Sequence, residues 1–469
     1  MPLFRRVLPS LLADHLPGTD GGRGPIRLWL DRLRDSFWFV PTIMAVAAGL
    51  AGILVPYLDQ WLASRDAFIL SLTVSAGPSG ARGILQSIAG SSITVTATVF
   101  SITVATLALT SGQFGPRLLR TFVSDRGIQV SMGSFLASFM FPLLLLRSIR
   151  SAGEESGADF VPQVGVTLSI GLAVVAVGVL IYFVHHLSLM IRAPYVIETV
   201  GAELDGTIDE MLPPKRGDAR NDKLEPYLPA PEKADRVVVA RSESAGYIAY
   251  IETDSLLKLA KKYDVVLWTL VGAGHYVYEK VPLVVAQSAD QEKLDDLLRE
   301  RVTEAIHVNK RRTVRGDVFF CIDQLTEVAQ RAMSPGINDP FTACHCADRL
   351  TAALYRACDR AMPVDRLADE NGKLRVMLQK YGWPELVESA YAPIRRYGFK
   401  DARLVANVLR GLTQLKRKAP PDRHDPLTAQ ADAIRDAALA ADLHGPDLEQ
   451  VEENHAAFIE GHVLRDWPA

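Results

Sequence analysis

Cysteine is scarce, with four in 469 residues. Cys321, Cys344, Cys346 and Cys358 all lie in the later, charged part of the chain. That usage excludes a disulfide framework and fits a reducing compartment. Excess charge is also lacking: the net charge is −3, so nothing points to a nucleic-acid partner. There is no HExxH helix, no phosphate-cradling glycine loop and no nucleophile motif, so neither a catalytic activity nor a cofactor is expected. No CxxC pair has zinc-site spacing, so no metal is expected either. Internal repeats and low-complexity segments are missing. A cleaved leader is not expected, because the apolar run Val7 to Ala13 is interrupted by Pro9 and Ser10 and stopped by Asp14.

Charge itself disappears over long stretches. Ile84 to Thr110 carries none, and it exceeds the roughly 20 apolar residues needed to cross a bilayer. Its unusual feature is hydroxyl. At about 100° per residue, Ser87, Ser91, Thr94, Thr98 and Ser101 fall on one face, and Ser92, Thr96, Thr103, Thr106 and Thr110 on another. Three more apolar segments are expected to span, so the set is about 36–58, 84–110, 130–146 and 164–184. Phe37, Trp38 and Phe39 belt the first span at its start, and Tyr57 and Trp61 at its end. Pro142 is expected to kink the third.

The basic residues assign the sides. Arg5, Arg6, Arg23, Arg27, Arg32 and Arg34 precede the first span, and Arg117, Arg120 and Arg126 follow the second. The two opposite loops hold Arg65, Arg82, Arg147 and Arg150, offset by acidic residues. A four-span helical domain, 36–192, with both termini cytoplasmic in a plasma (inner) membrane follows from the excess of positive charge inside. The 1–35 tail is either a purely basic topology signal or, at Ile26 to Asp35, an amphipathic surface helix.

Beyond the last span an α+β cytoplasmic domain is expected. Residues 193–235 read as a linker, helical in their first part. A small β unit follows over 236–289, with RVVVARS, GYIAYIE, VVLWTLVG and YVYEKVPLVVA as strands. A helix over Ser255 to Lys262 is inserted, capped by Thr253 and Asp254. The remainder, 290–469, is expected to be mostly helical. One helix carries Leu294, Leu298, Val302 and Ile306, and another runs from Arg315 to Met333. A third starts behind the cap Asp339 and Pro340 and reaches about Arg360. Later helices are expected at Arg375 to Gln379, Pro384 to Ala390, Asp401 to Arg417, Leu427 to Leu443 and Asp447 to Val463.

Three stretches together resemble one family. They are TVFSITVATLALTSGQFGPRLLR, the pair GYIAYIETDSLLKLA and VGAGHYVYEKVPL, and RTVRGDVFFCIDQLTEVAQRAMSPGINDPFTA. They are similar to the bacterial predicted membrane proteins of domain of unknown function 2254. The resemblance implies four membrane helices followed by a cytoplasmic domain, and it brings no substrate, reaction or catalytic residue. The β unit also resembles, more weakly, a barrel-sandwich module of the biotinyl–lipoyl type. Gly272 and Gly274 fit that pattern, Glu279 and Lys280 stand where its second glycine would be, and the carrier lysine is absent.

Several candidates carry two readings. Ser91, Thr94, Thr98, Ser101 and Thr103 either line an aqueous path or pack against other helices. Arg117 and Arg120 either meet lipid phosphates or ring a pore mouth, or simply follow a helix stop at Gly112, Gly115 and Pro116 as positive-inside arginines. SPGINDP either binds a small anion or other small ligand, with Arg312, Arg331, Ser334 and Asn338 as contacts, or is a structural corner with Arg331 paired to Asp339. Cys344, His345 and Cys346 look like a metal tripod, but neighbours on a helix point apart, so a structural role is expected. His185 and His186 either titrate near neutral pH or are merely interfacial. The favoured expectation is a homo-oligomeric channel or transport-like protein in a lipid bilayer with a regulatory cytoplasmic domain. The alternative is a non-conducting sensor or scaffold that binds a ligand or partner near SPGINDP.

Overall fold

The computed structural model describes residues 37–63, 73, 76–118, 122–123, 125–151, 160–212, 236–287, 294–314, 316–363, 365–379, 381–441 and 443–461. The tail 1–35, Arg120 and the proline-rich part of the linker lie outside these residues. The chain forms two units. One comprises residues up to 112 together with 116–191, and the other 113–115 together with 192 onward.

Four helices in the first unit are long and apolar enough to cross a membrane: Phe39–Leu62, Pro78–Phe114, Arg126–Ser148 and Gln163–Met190. They are named α1 (Phe39–Ala63), α2 (Pro78–Phe114), α3 (Arg126–Leu145) and α4 (Gln163–Met190). α3 is the most buried of the four, and the others turn large apolar side chains such as Leu54, Leu109, Val174 and Ile181 outward. Such a surface suits lipid. Where the four meet, Ala81, Leu85, Phe141, Leu145, Ile149 and Val166 form one buried cluster.

Glycine lets these helices approach closely. A Cβ on Gly52 would sit 2.7 Å from the Phe141 carbonyl oxygen, one on Gly165 2.7 Å from Leu145 Cδ1, and one on Gly133 would collide with the Met44 sulfur. At one end of the bundle the Asp59 carboxylate accepts the Val164 and Gly165 amides at 3.0 and 3.1 Å. It thereby caps α4 from a different helix, where Pro162 at the cap position makes no side-chain hydrogen bond. At the other end His186 Nε2 lies 2.9 Å from Asp125 Oδ1, which also caps α3 by accepting the Ile128 amide.

α2 outruns its neighbours. Its Leu85 lies in the cluster with Leu145 and Val166, and its Phe100 ring is 5.6 Å from Trp38, just before α1 begins. From Phe100 to the end at Phe114 it continues for about 20 Å more at 1.5 Å per residue.

The second unit opens with α5 (Ala193–Met211), starting with Pro194 in its first turn. Next come β1 (Arg236–Arg241), β2 (Gly246–Ile251), α6 (Thr253–Tyr263), β3 (Val266–Thr269), β4 (Tyr276–Val277) and β5 (Pro282–Gln287). They are followed by α7 (Asp296–Glu304), β6 (Ile306–Asn309), α8 (Val318–Ala332), α9 (Pro340–Ala357), β7 (Arg366–Ala368) and β8 (Leu374–Met377). The chain closes with α10 (Trp383–Gly398), α11 (Ala402–Lys418), α12 (His424–Leu439) and α13 (Pro446–Glu460).

Two sheets form, ordered β1-β5-β3-β8-β7 and β4-β2-β6. Three of these strands lie beyond residue 289, and β3 pairs with β8 in parallel. The β unit is therefore not a self-contained barrel-sandwich module. Arg375 to Gln379 was expected to be helical, but Leu374–Met377 is a strand. A turn at Gly372, φ 80°, folds it back on β7, and Leu367 and Val376 pair across the ladder. Ile306, expected on a helix, begins β6 instead, because α7 ends at Glu304. α6 starts at Thr253 behind Glu252, so the two expected capping residues are its first two helical residues. α10 runs on to Gly398 with Pro393 inside it, well past the expected end at Ala390.

Candidate functional site

The two hydroxyl faces of α2 separate by burial. Ser92, Thr96, Thr103, Thr106 and Thr110 are all buried, at no more than 9 % exposure, with Val99 among them. Ser87, Ser91, Thr94, Thr98 and Ser101 are exposed. Of the five path-lining candidates, Ser91, Thr94, Thr98 and Ser101 share the exposed face and Thr103 sits on the buried one. Thr103 spends its hydroxyl on the Val99 carbonyl at 2.8 Å. On the exposed face Ser91 donates to Ser87 O, Thr94 to Gly90 O and Thr98 to Thr94 O, at 2.8, 2.9 and 3.0 Å. With each proton turned back to the helix, what faces outward is oxygen lone pairs, an acceptor surface.

The same side of α2 carries glycines. Nothing lies within 4 Å of a Cβ built at Gly83 or Gly90. Alongside runs a groove of about 630 Å³ lined by Gly80, Gly83 and Ser87 of α2 and by Ile170, Val174 and Val177 of α4.

In the second unit the candidates cluster at the two ends of α8. At its start Asp317, 2 % exposed, accepts the Phe320 amide at 3.2 Å and caps the helix. Arg312 grips Asp317 with Nε and Nη2, at 2.5 and 3.1 Å, and Asp323 with Nη1 at 2.5 Å. Burial pushes the Asp317 carboxyl up, against the pull of Arg312 and the Phe320 amide. Gly274, φ 84°, packs against this carboxylate so closely that a Cβ there would collide with it. Two of the motifs behind the family resemblance thus meet at one buried ion pair.

At the far end of α8, about 20 Å away along 15 residues, the SPGINDP corner is held by its own backbone. Ser334 Oγ donates to Arg331 O at 2.6 Å, and Asn338, φ 50°, donates its amide to Ser334 O at 2.9 Å. Asp339 caps α9 as expected, accepting the Thr342 amide at 3.1 Å and its hydroxyl at 2.6 Å. Arg331 pairs with Glu327 at 3.4 Å. So Arg331, Ser334 and Asn338 come together, while Arg312 stands at the opposite end of the helix. Arg117 lies in a short 3-10 turn, Pro116–Leu118, after α2.

Two features escape sequence reasoning. The first is the seat of Gly115, φ 107°, which the sequence marks only as a helix stop. A Cβ there would collide with the Glu327 carboxylate and lie 3.1 Å from Arg331 Nε. The second is a ladder of ion pairs between α5 and α9, continued by Arg360 just past the end of α9. Arg349 binds Asp205 at 2.6 Å and Glu198 at 3.4 Å, Arg356 and Arg360 both bind Asp209, and His345 reaches Glu198 at 3.4 Å. Gly201 lies directly beneath Arg349, whose side chain occupies the place a Cβ would take. The only signal in the sequence is the spacing of acids along α5 and of bases along α9, and nothing there pairs the two helices.

The cysteines are buried or half-buried. Burial pushes the Cys321 thiol up to about 12 and the Cys344 thiol up to about 11, and it raises Cys346 further still. Thiols held that high stay protonated and unreactive at neutral pH.

A family model described as "Predicted membrane protein (DUF2254)" matches residues 34–414. Uncharacterized proteins of Mycobacterium tuberculosis and Mycobacterium bovis are each 30 % identical over 447 residues, covering 93 % of this chain and 81 % of the relative. No solved structure matches the chain. Neither the family description nor the relatives' names carry an activity. By extent of match and by the convergence of its motifs in the fold, the chain belongs to the predicted membrane protein family of domain of unknown function 2254.

Proposed function

We propose that the protein is a homo-oligomeric channel or transport-like protein of a plasma (inner) membrane, with both termini cytoplasmic and the second unit regulating it. The observation that carries this reading is the exposed face of α2, where Ser87, Ser91, Thr94 and Thr98 stand beside Gly83 and Gly90. Within the bundle, Gly52, Gly133 and Gly165 each serve a close helix contact. Gly83 and Gly90 meet no such partner among the described residues, and an interior helical glycine costs about 1 kcal/mol relative to alanine. A second copy of α2 would supply the partner. Four helices enclose little space, so copies arranged in a ring would create the path. Outward lone pairs suit a small cation or water better than an anion.

The alternative sensor or scaffold reading has less support. Arg312 and Arg331 lie far apart, and each is already paired with carboxylates.

The test is cation flux through the purified protein in liposomes, with oligomer size measured in the same preparation. Thr94→Leu with Thr98→Leu is expected to abolish flux and keep the oligomer. Undiminished flux in that variant would remove this face from the path.

A further inference from the structure

The chain passes into the second unit twice, for residues 113–115 and again from 192. Each crossing directly continues a candidate membrane span. Gln113 and Phe114 end α2, and only Ile191 and Arg192 separate α4 from α5. The two incoming segments are held by a single pair of helices. Gly115 is seated on Glu327 and Arg331 at the end of α8. α5 is fastened to α9 through Arg349 and Arg356, and to the residues just after α9 through Arg360, and its buried stripe Val196, Ile197, Val200, Leu204 and Ile208 faces the interior of the unit. α8 and α9 are joined by the SPGINDP corner.

We infer that the α8–α9 hairpin is a coupling element, through which the exposed corner at 335–338 sets the distance between the 113–115 segment and α5. Three features suit it to this task. Its attachment to α5 carries a row of ion pairs, which can break and re-form as the hairpin angle changes while the buried stripe of α5 keeps that helix on the unit. Its corner is exposed at Pro335, Gly336, Ile337 and Asn338, where a ligand or a change of backbone conformation can act on it. Both attachments use a glycine that leaves no room for a side chain, Gly115 and Gly201, which makes each seat specific. The backbone at Asn338 is left-handed, so the hairpin angle depends on a residue that tolerates φ 50°.

The experiment measures a distance inside the second unit, so it does not depend on any flux. Nitroxides on Gln113→Cys and Ala202→Cys in the full chain in lipid nanodiscs give that distance by pulsed electron resonance. The unaltered corner should give one narrow distribution. Asn338→Val, which strains the left-handed position, should shift or broaden it, and Asn338→Gly, which relaxes it, should leave it narrow. Arg349→Ala should broaden it, and the swapped pair Arg349→Asp with Asp205→Arg should narrow it again. Helix content by circular dichroism separates these effects from unfolding. A distribution unchanged by both Asn338→Val and Arg349→Ala, with helix content intact, would overturn the inference.

Discussion

Glycine serves two purposes along the membrane helices. Gly52 faces the Phe141 carbonyl, and backbone cannot step aside as the tip of a side chain can. Gly52→Ala is therefore expected to lower stability by about 1–3 kcal/mol, the usual cost of overpacking, as a lower thermal midpoint in detergent. Gly83→Ala meets open space and should leave that midpoint unchanged or slightly raised. Its effect should appear in the oligomer, as a shift toward smaller species by mass measurement. Asp264 gives a pH test. Lys373 and Arg375 hold its carboxyl down from 3.8 to about 2. A carboxyl depressed by folding contributes stability that is fully present above its unfolded value and is lost as pH falls through about 2. Acid unfolding followed from pH 5 downward should be steeper in the native chain than in Asp264→Asn, which has no such proton to take up.

At the scale of elements, what the sequence disclosed depended on whether the determining physics was local. Spans are a matter of length and missing charge, so all four were recognisable from composition, although α2 runs past both expected ends. The Asp339-Pro340 start of α9 rests on capping within one turn, and it holds. β8 reads as helix in the sequence because its four residues carry no period long enough to separate the two forms, and its partners come from β3 and β7. The ladder between α5 and α9 joins residues 144 apart and leaves no local trace. The Asp59 cap on α4 joins residues 105 apart. Asp59→Ala strips the side-chain acceptor from two amides at the start of α4, and a loss of about 1–3 kcal/mol is expected, measured by thermal unfolding of the detergent-solubilised chain. A change well under that range would show that the bundle closes without the cap.

At the scale of the molecule, the candidate site was partly visible in advance. The separation of α2 hydroxyls into two faces followed from helical period alone. Which face is buried did not follow, because that depends on what packs beside α2. The set of path-lining residues mixed the two faces for the same reason: Thr103 lies on the inner one. Likewise SPGINDP stood out as a corner, but the carboxylates that occupy Arg312 and Arg331 became visible only in three dimensions. The proposed path requires the outer hydroxyl face to be a surface between copies that conducts. The most direct test is cation flux in liposomes from a preparation whose oligomer size is known, comparing the native chain with Thr94→Leu/Thr98→Leu. Flux from a symmetric oligomer, lost in the variant without loss of assembly, is the predicted result. A well-folded monomer, or an oligomer whose flux survives the substitutions, would contradict it.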